Sequence, residues 1–427
     1  MSFKLITIGS LKNKLNNKFI RNLGWLGGSE LALRGFRLIT TVVLARFLTS
    51  YDYGLAAIVL TTHEFTQVLA RIGLTHKLIQ ADKEYLDDLA NSAYWLNWLI
   101  YVGLFVIQCI ASFGIAWFYK DNRLILPICA LAIVYLISPW GRIQYSLIQR
   151  ENRLKVTAVS NTLKMGVGNL LAAIFAVLGF GMWAIVLGKL LPTPIEAIIS
   201  LKKHPWRPSQ KFTTKYWGEL LKFGTPILGI QLLSTARDNM DYLIVGRFLG
   251  VEELGIYFWA FNAGLGISLS IIQSINVALY PHLCAVRDNW EQFKKRYFSG
   301  LKTASTIIVP FVLLQSCLAP FYVPIVFGQK WVVGVPVLIL ICLSAIPRAF
   351  NTASNNLLMA VGRPDLTFNL NVLFTLLFIG GLLIGVQWQA IGVAISVLVT
   401  HLIFVPLVVV WSARYVFYKL PASTPNS

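Results

Sequence analysis

The chain has 427 residues, 56% of them hydrophobic and only 13% charged, and its 37 Lys and Arg against 18 Asp and Glu leave a formal net charge of +19. So few charges cannot cover a soluble globule of this length, which excludes a soluble enzyme or binding domain and makes the chain an integral membrane protein. The basic excess is read below as membrane topology and attraction to lipid headgroups rather than as a nucleic-acid footprint.

Residues 1–23 form a distinct N-terminal segment. They are basic, with Lys4, Lys12, Lys14, Lys18 and Arg21, and lack the apolar run and small-residue cleavage site of a secretory signal peptide. Ile6, Ile8, Leu11, Leu15, Phe19 and Ile20 fall roughly along one helical face, so an amphipathic helix on the cytoplasmic surface is expected. Twelve apolar spans follow, at 24–47, 54–75, 93–118, 124–147, 156–178, 182–201, 222–246, 254–280, 303–327, 334–359, 366–386 and 389–412. Each is long enough to cross a hydrocarbon core about 30 Å thick. The expected fold is therefore an all-α membrane protein of two six-helix bundles, 24–201 and 222–412, joined by a cytoplasmic linker at 202–221 and closed by a cytoplasmic tail at 413–427. Residues Arg287–Leu301 mix Trp290, Phe293, Tyr297 and Phe298 with basic side chains and are expected to form a separate interfacial helix before the ninth span.

The two halves echo each other. Arg46, Phe47, Leu48 and Gly54 fall on Arg247, Phe248, Leu249 and Gly255 at a constant offset of 201, and Gly179, Ala184 and Ile185 fall on Gly385, Ala390 and Ile391 at an offset of 206. Two ordered matches at nearly one offset predict a duplicated unit. Lys and Arg set the orientation: 24 lie in alternate connections that include both termini and the linker, against 5 on the other side. Both termini are therefore expected in the cytoplasm. The outer connections are short, which leaves little room for the extracytoplasmic domain of a membrane glycosyltransferase, polymerase or ligase.

Eight cations remain inside or at the rims of spans: Arg34, Arg37, Arg71, Arg142, Lys164, Lys189, Arg237 and Arg348. A cation in hydrocarbon costs several kcal/mol unless it faces water, a partner or a ligand. Glu30, Arg34 and Arg37 share one face of the first span, and Arg237 and Asp241, with Asp238 beside them, stand at corresponding depth in the seventh. A polar cavity lined by these first helices is expected. Arg237 and Asp241, four residues apart, also suit a neutralised pair that merely holds helices together. Two arginines facing one glutamate leave an excess of positive charge, which calls for an anionic ligand, and planar guanidinium forks suit phosphate or pyrophosphate oxygens. The second span carries Glu64, Gln67 and Arg71 on one face, and the fifth carries Asn161 and Lys164. His63, His76, His204, His282 and His401 are dispersed and the five cysteines stand singly, so no metal site and no cofactor are expected. His63 is read as a packing residue.

The stretch Gly35-Phe36-Arg37-Leu38-Ile39-Thr40-Thr41-Val42-Val43-Leu44-Ala45-Arg46-Phe47-Leu48, followed by Tyr51-Asp52-Tyr53-Gly54-Leu55, resembles the opening "LAR-L-x-P-x-(D/E)-(Y/F)-G" of the polysaccharide-flippase branch of the multidrug/oligosaccharidyl-lipid/polysaccharide (MOP, MATE-like) superfamily. This branch contains Wzx-type O-antigen flippases and polysaccharide exporters. Ser50 stands where many members have proline. Asp241 to Gly250 with Gly255-Ile256-Tyr257 is similar to the family's start of helix seven, and Leu357 to Asp365 to its cytoplasmic turn ahead of helix eleven.

The resemblance implies two six-helix bundles that alternate between inward-open and outward-open forms and flip a polyprenyl-pyrophosphate-linked oligosaccharide across the bacterial inner membrane for cell-surface polysaccharide (lipopolysaccharide, O-antigen) synthesis. Arg34, Arg37, Arg237, Lys164 and Glu30 are then the expected substrate residues, and Asp238, Asp241 and Glu64 the expected sites for a coupling proton or sodium ion. Membrane lipids and a polysaccharide polymerase or export machinery are the expected partners. The alternatives are a MATE-type cation-coupled multidrug antiporter, which would want an anionic cavity, a peptidoglycan-precursor flippase, and a membrane glycosyltransferase or polymerase.

Overall fold

A computed structural model of the protein describes residues 35–70, 74–209, 211–286 and 289–419. Among the described residues the secondary structure is helical, without a strand. Hydrocarbon leaves no water to satisfy backbone groups, and a helix satisfies them within one segment. The helices, in order, are α1 (35–47), α2 (Ser50–Leu69), α3 (Leu74–Gln80), α4 (Leu86–Tyr119), α5 (Ile125–Ile137), α6 (Pro139–Arg150), α7 (Leu154–Val177), α8 (Trp183–Leu190), α9 (Thr193–Lys203), α10 (Trp217–Phe248), α11 (Val251–Ala260), α12 (Gly266–Cys284), α13 (Trp290–Tyr322), α14 (Val335–Leu343), α15 (Ala345–Ala360), α16 (Pro364–Gly385) and α17 (Gln389–Arg414).

Among the described residues, five helical stretches are long and apolar enough to cross a membrane: Lys83–Tyr119, Trp183–Lys203, Trp290–Phe327, Gln329–Ala360 and Pro364–Tyr418. The bent pair α5 and α6, at 53°, makes a sixth if taken as one span. The last stretch, 55 residues long, is a hairpin: the chain turns at Gln389, whose φ is 59°, and Phe374 on α16 meets His401 on α17 with ring centroids 4.9 Å apart. Trp117, Leu126, Phe321 and Ile325 are strongly exposed apolar side chains on these helices, a surface suited to lipid and not to water. The protein is a multi-pass membrane protein.

Several expected spans differ in detail, for local reasons. The span at 124–147 is bent into two helices by 53°, whereas 182–201 falls within one span-length stretch that a short turn interrupts. Pro139 opens α6 and Pro192 caps α9, where a missing N–H ends the preceding helix. The span at 334–359 lies within the single stretch Gln329–Ala360, with a local turn at Ser344 and Pro347 in the first turn of α15. The interfacial helix expected at Arg287–Leu301 is not separate. From Trp290 it is the first part of α13, a continuous helix of 33 residues, because no proline or glycine interrupts Trp290–Ser299. Asn289 caps it, its Oδ1 accepting from the Gln292 N–H at 3.0 Å. α4, with 34 residues, is likewise longer than its expected span. At 1.5 Å per residue both helices reach about 50 Å, well beyond the hydrocarbon thickness.

The described chain packs as two units, one running to Leu48 and over Val59–Thr235, the other formed by Thr49–Ile58 and the chain from Ala236. In the first unit the linker after α9 is strapped to α4. Asn91 donates from Nδ2 to the Lys211 carbonyl at 3.1 Å and accepts on Oδ1 from the Ser209 N–H at 3.0 Å. Ser92 accepts from the Tyr216 N–H at 3.2 Å. Trp206, Tyr216 and Trp217 of the strap pack on a core that includes Leu89, Ala93, Leu96 and Leu147. Beyond the strap, α3 is tied to α10 by Lys77 Nζ to Glu219 Oε1 at 2.6 Å, and this hydrogen bond holds the Lys77 ammonium above its usual range. Asn91→Leu is expected to orphan the Ser209 N–H, at about 1–3 kcal/mol, while the Lys211 carbonyl keeps the Trp95 Nε1–H donor at 3.2 Å. Limited trypsin digestion in detergent should then cut after Lys211 and Lys215 faster than in the wild type; an unchanged rate would show that the aromatic packing alone holds the strap.

In the second unit, the motif repeated at an offset of 201 finds its physical reason. Thr49 and Asp52 form a reciprocal cap at the start of α2, with the Thr49 N–H donating to Asp52 Oδ2 at 3.0 Å and the Asp52 N–H to Thr49 Oγ1 at 3.1 Å. The acidic residue ahead of Gly54 is therefore a helix-starting device. Ser50, the departure from proline, donates from Oγ to Glu252 Oε1 at 3.1 Å. A Cβ on Gly54 would run into the Val251 carbonyl of α11, and one on Gly255 into the Ser50 carbonyl of α2. The first turns of α2 and α11 thus touch backbone to backbone, and each contact is the counterpart of the other at the same offset.

Candidate functional site

The first unit holds a polar cavity of about 300 Å³, lined by Gln67, Tyr101, Tyr135, Ser138, Arg142, Lys164, Thr193 and Glu196, among others. Two features of the chain build it. Ser138 donates from Oγ to the Val134 carbonyl at 2.8 Å at the break between α5 and α6, a local bond of the kind that bends helices. One turn on, Gly141 lets α6 meet α9 so closely that a Cβ would lie 2.6 Å from Ala197 Cα. The neighbours in sequence, Arg142 and Glu196, are thereby brought together, Nη1 to Oε1 at 3.9 Å. Lys164 reaches in from α7, with Nζ 2.6 Å from Glu196 Oε2. The Arg142 guanidinium lies 5.8 Å from the Tyr145 ring centroid, and Tyr145 OH accepts from Asn161 Nδ2 at 3.5 Å. Two cations share one carboxylate here, so the cavity carries an excess of positive charge.

The helix bearing Arg37 lies beside this cluster. Thr40 Oγ1 on α1 donates to the Asn169 carbonyl on α7 at 3.1 Å, and Phe36 comes against Gly166, two residues from Lys164. Arg37 itself is exposed. Glu30 and Arg34 lie outside the described residues, as does Arg71. Glu64 is exposed on α2, and its neighbour His63 is buried. His63 Nδ1 is 3.2 Å from Gln108 Oε1, and its carbonyl accepts from Tyr135 OH at 3.2 Å.

The second unit gathers a different set. Arg237 donates from Nη1 to Asn371 Oδ1 at 2.9 Å and from Nε to Asp238 Oδ1 at 3.3 Å. Asp241 is buried and accepts from Tyr257 OH on Oδ2 and from the Tyr242 N–H on Oδ1, each at 2.9 Å. The neutralised pair that the spacing of Arg237 and Asp241 allows does not form in this way, because each residue hydrogen-bonds other partners. Arg348, from α15, acts electrostatically on Asp238, Asp241 and Tyr257, and its buried Nε makes no hydrogen bond. His401 stands between Phe374 and Phe378. Two arginines and two aspartates balance, so this cluster lacks the positive excess of the first unit.

Arg142 and Arg348 are two of the eight intramembrane or rim cations, and the sequence alone assigned them no role. The signal was present. Ser138 and Arg142 fall on Ser344 and Arg348 at an offset of 206, the offset already seen at Gly179 and Gly385. Asn161 falls on Asn371 at 210, and the four extra residues match the longer α15, 16 residues against 12 in α6, one added helical turn.

A family model described as "Polysaccharide biosynthesis protein" matches residues 43–336. The chain is 27% identical to the lipopolysaccharide biosynthesis protein WzxC of Escherichia coli, over 91% of this chain and 80% of that protein. It is 28% identical to an uncharacterized membrane protein in the cps region of Klebsiella pneumoniae, over 91% and 81%. Among solved structures it is similar to the lipid II flippase MurJ in an inward closed conformation, with a TM-score of 0.75 and 16% identity over 91% of this chain and 87% of that one. It is also similar to an inward-facing multidrug resistance MATE family transporter of the MOP superfamily, with a TM-score of 0.77 and 14% identity over 91% and 96%. At such identities these two likenesses establish a MATE- and MurJ-like fold and nothing more.

Proposed function

The chain belongs to the polysaccharide biosynthesis protein family, and from that premise we propose that it flips a polyprenyl-pyrophosphate-linked oligosaccharide across the bacterial inner membrane by alternating access, as a transporter and not an enzyme. The observation that carries this reading is the cationic cavity of the first unit, where Arg142 and Lys164 face the one carboxylate of Glu196. A membrane protein keeps an uncompensated cation in its interior where an anion is to be bound, and a pyrophosphate link supplies one. Arg34, Arg37 and Lys164 are the proposed contacts to the pyrophosphate, with Glu30 and Arg237 as further polar contacts along the substrate's route. Asp241, buried and hydrogen-bonded twice, is with Asp238 and Glu64 a proposed site for a coupling proton or sodium ion.

The wider arrangement belongs to the same proposal: twelve spans in two six-helix bundles related by an internal repeat, with both termini and the linker in the cytoplasm, and a polymerase or export machinery taking up the flipped glycan. Purified protein in vesicles tests the substrate class. A lipid-pyrophosphate-linked oligosaccharide placed in the inner leaflet is expected to become accessible to an external glycosidase in a protein-dependent way. Gradient-driven uptake of a cationic dye, with no movement of the glycolipid, would overturn the reading in favour of a drug antiporter.

A further inference from the structure

Resting on that reading, we propose that Glu196 is a tethered counter-anion: it fills an anion seat made by Lys164 and Arg142 and yields the seat to a phosphate group of the substrate. A bare pair of cations inside a membrane protein would be costly, and Glu196 removes most of that cost while no substrate is bound. It occupies the seat unequally. The bond to Lys164 is short, at 2.6 Å, whereas Arg142 stands at 3.9 Å, beyond hydrogen-bond length, with its five-donor fork beside the cavity. An incoming phosphate engages Arg142 first and then competes for Lys164. The exchange trades one charge-assisted pair for another, so it needs no large reorganisation. The space suffices, since about 300 Å³ corresponds to roughly ten waters of liquid volume.

The second unit supplies an internal comparison. At the offset that aligns Ser138 with Ser344 and Arg142 with Arg348, Glu196 falls on Leu402. The arginine after the helix break recurs, but the acid on the last helix does not. In that unit the acids of the polar cluster are Asp238 and Asp241 on α10, one bonded to Arg237 and the other to Tyr257. The acid at Glu196 is therefore not a requirement of building such a unit. Of the two clusters described, it belongs to the one with a cation to spare.

The test is a titration of inorganic pyrophosphate against the full-length protein in detergent, for the wild type, Glu196→Gln, Glu196→Asp and Lys164→Gln. Removing the competitor is expected to tighten binding roughly tenfold in Glu196→Gln, with a smaller gain in Glu196→Asp, whose shorter arm loosens the pair; the tenfold gain equals about 1.4 kcal/mol. Lys164→Gln is expected to lose binding. Equal or weaker binding in both Glu196 variants overturns the proposal, and Glu196→Asp keeps the test open if the glutamine variant does not fold. A parallel arm with phosphatidylglycerol in mixed micelles separates the sources of phosphate: a gain for that lipid alone would make the seat a bilayer-headgroup site and overturn the assignment to substrate. Tighter pyrophosphate binding in Glu196→Gln with no glycolipid movement in vesicles would sink the flippase reading and leave the counter-anion standing. Glycolipid movement without that gain would do the reverse.

Discussion

Valine at Gly54 or at Gly255 is expected to abolish the folded protein. A Cβ at Gly54 meets the Val251 carbonyl, and one at Gly255 meets the Ser50 carbonyl. Both obstacles are backbone at the first turn of a helix, so neither yields by a rotamer change. Overpacking of ordinary side chains costs about 1–3 kcal/mol, and here the start of α2 or α11 must move as well, together with the Ser50–Glu252 hydrogen bond. Size-exclusion chromatography and thermal melting in detergent check this. Each variant should lose the monodisperse peak or melt far below the wild type, and an unchanged melting midpoint would show that the two helices are not in backbone contact.

The second large effect concerns the cavity of the first unit. Substituting Lys164 alone leaves Glu196 with only the distant Arg142, and in a transport assay, where the amount of folded protein enters the rate, the lost ion pair mixes function with stability. The variant Arg142→Gln/Lys164→Gln/Glu196→Gln replaces charged groups by neutral ones of similar shape and leaves no lone carboxylate. It is expected to fold, to melt near the wild type, and to flip glycolipid at least about 100-fold more slowly. Two charge-assisted hydrogen bonds to the substrate, each worth about 1.5–3 kcal/mol, account for that factor. Wild-type flipping rates in a well-folded triple variant would remove the cavity from the transport route.

The membrane class and the helical fold were legible in composition and hydropathy, because both depend on sums over long stretches. The echo of Arg46-Phe47-Leu48 and Gly54 was legible as a repeat, and the structure explains its glycine as a close approach in both copies and its acid, at Asp52, as a helix cap. Helix interruptions were less visible. Pro139 and Pro192 end helices, while Pro310 and Pro406 sit inside continuous ones, so proline alone does not say which spans break. The site was half legible. Charge placement pointed to Lys164, Asp241 and Arg237, each of which the structure seats in a polar cluster, but Arg142 and Glu196 meet only because Gly141 and Ala197 bring α6 against α9. That contact joins Gly141 to Ala197, far apart in sequence, and no periodicity along the chain announces it. The partners of Arg237 and Asp241 were hidden for the same reason, since Asn371 and Tyr257 come from other helices.

Positive charge in the first unit is proposed to move a pyrophosphate-linked glycan across the bilayer. The rate of glycan exposure at the outer leaflet of vesicles holding equal amounts of folded wild type or of the neutral triple variant decides it. Rapid exposure with the wild type and near-protein-free rates with the triple variant are the predicted result. Equal rates for the two, or none for either, would contradict it.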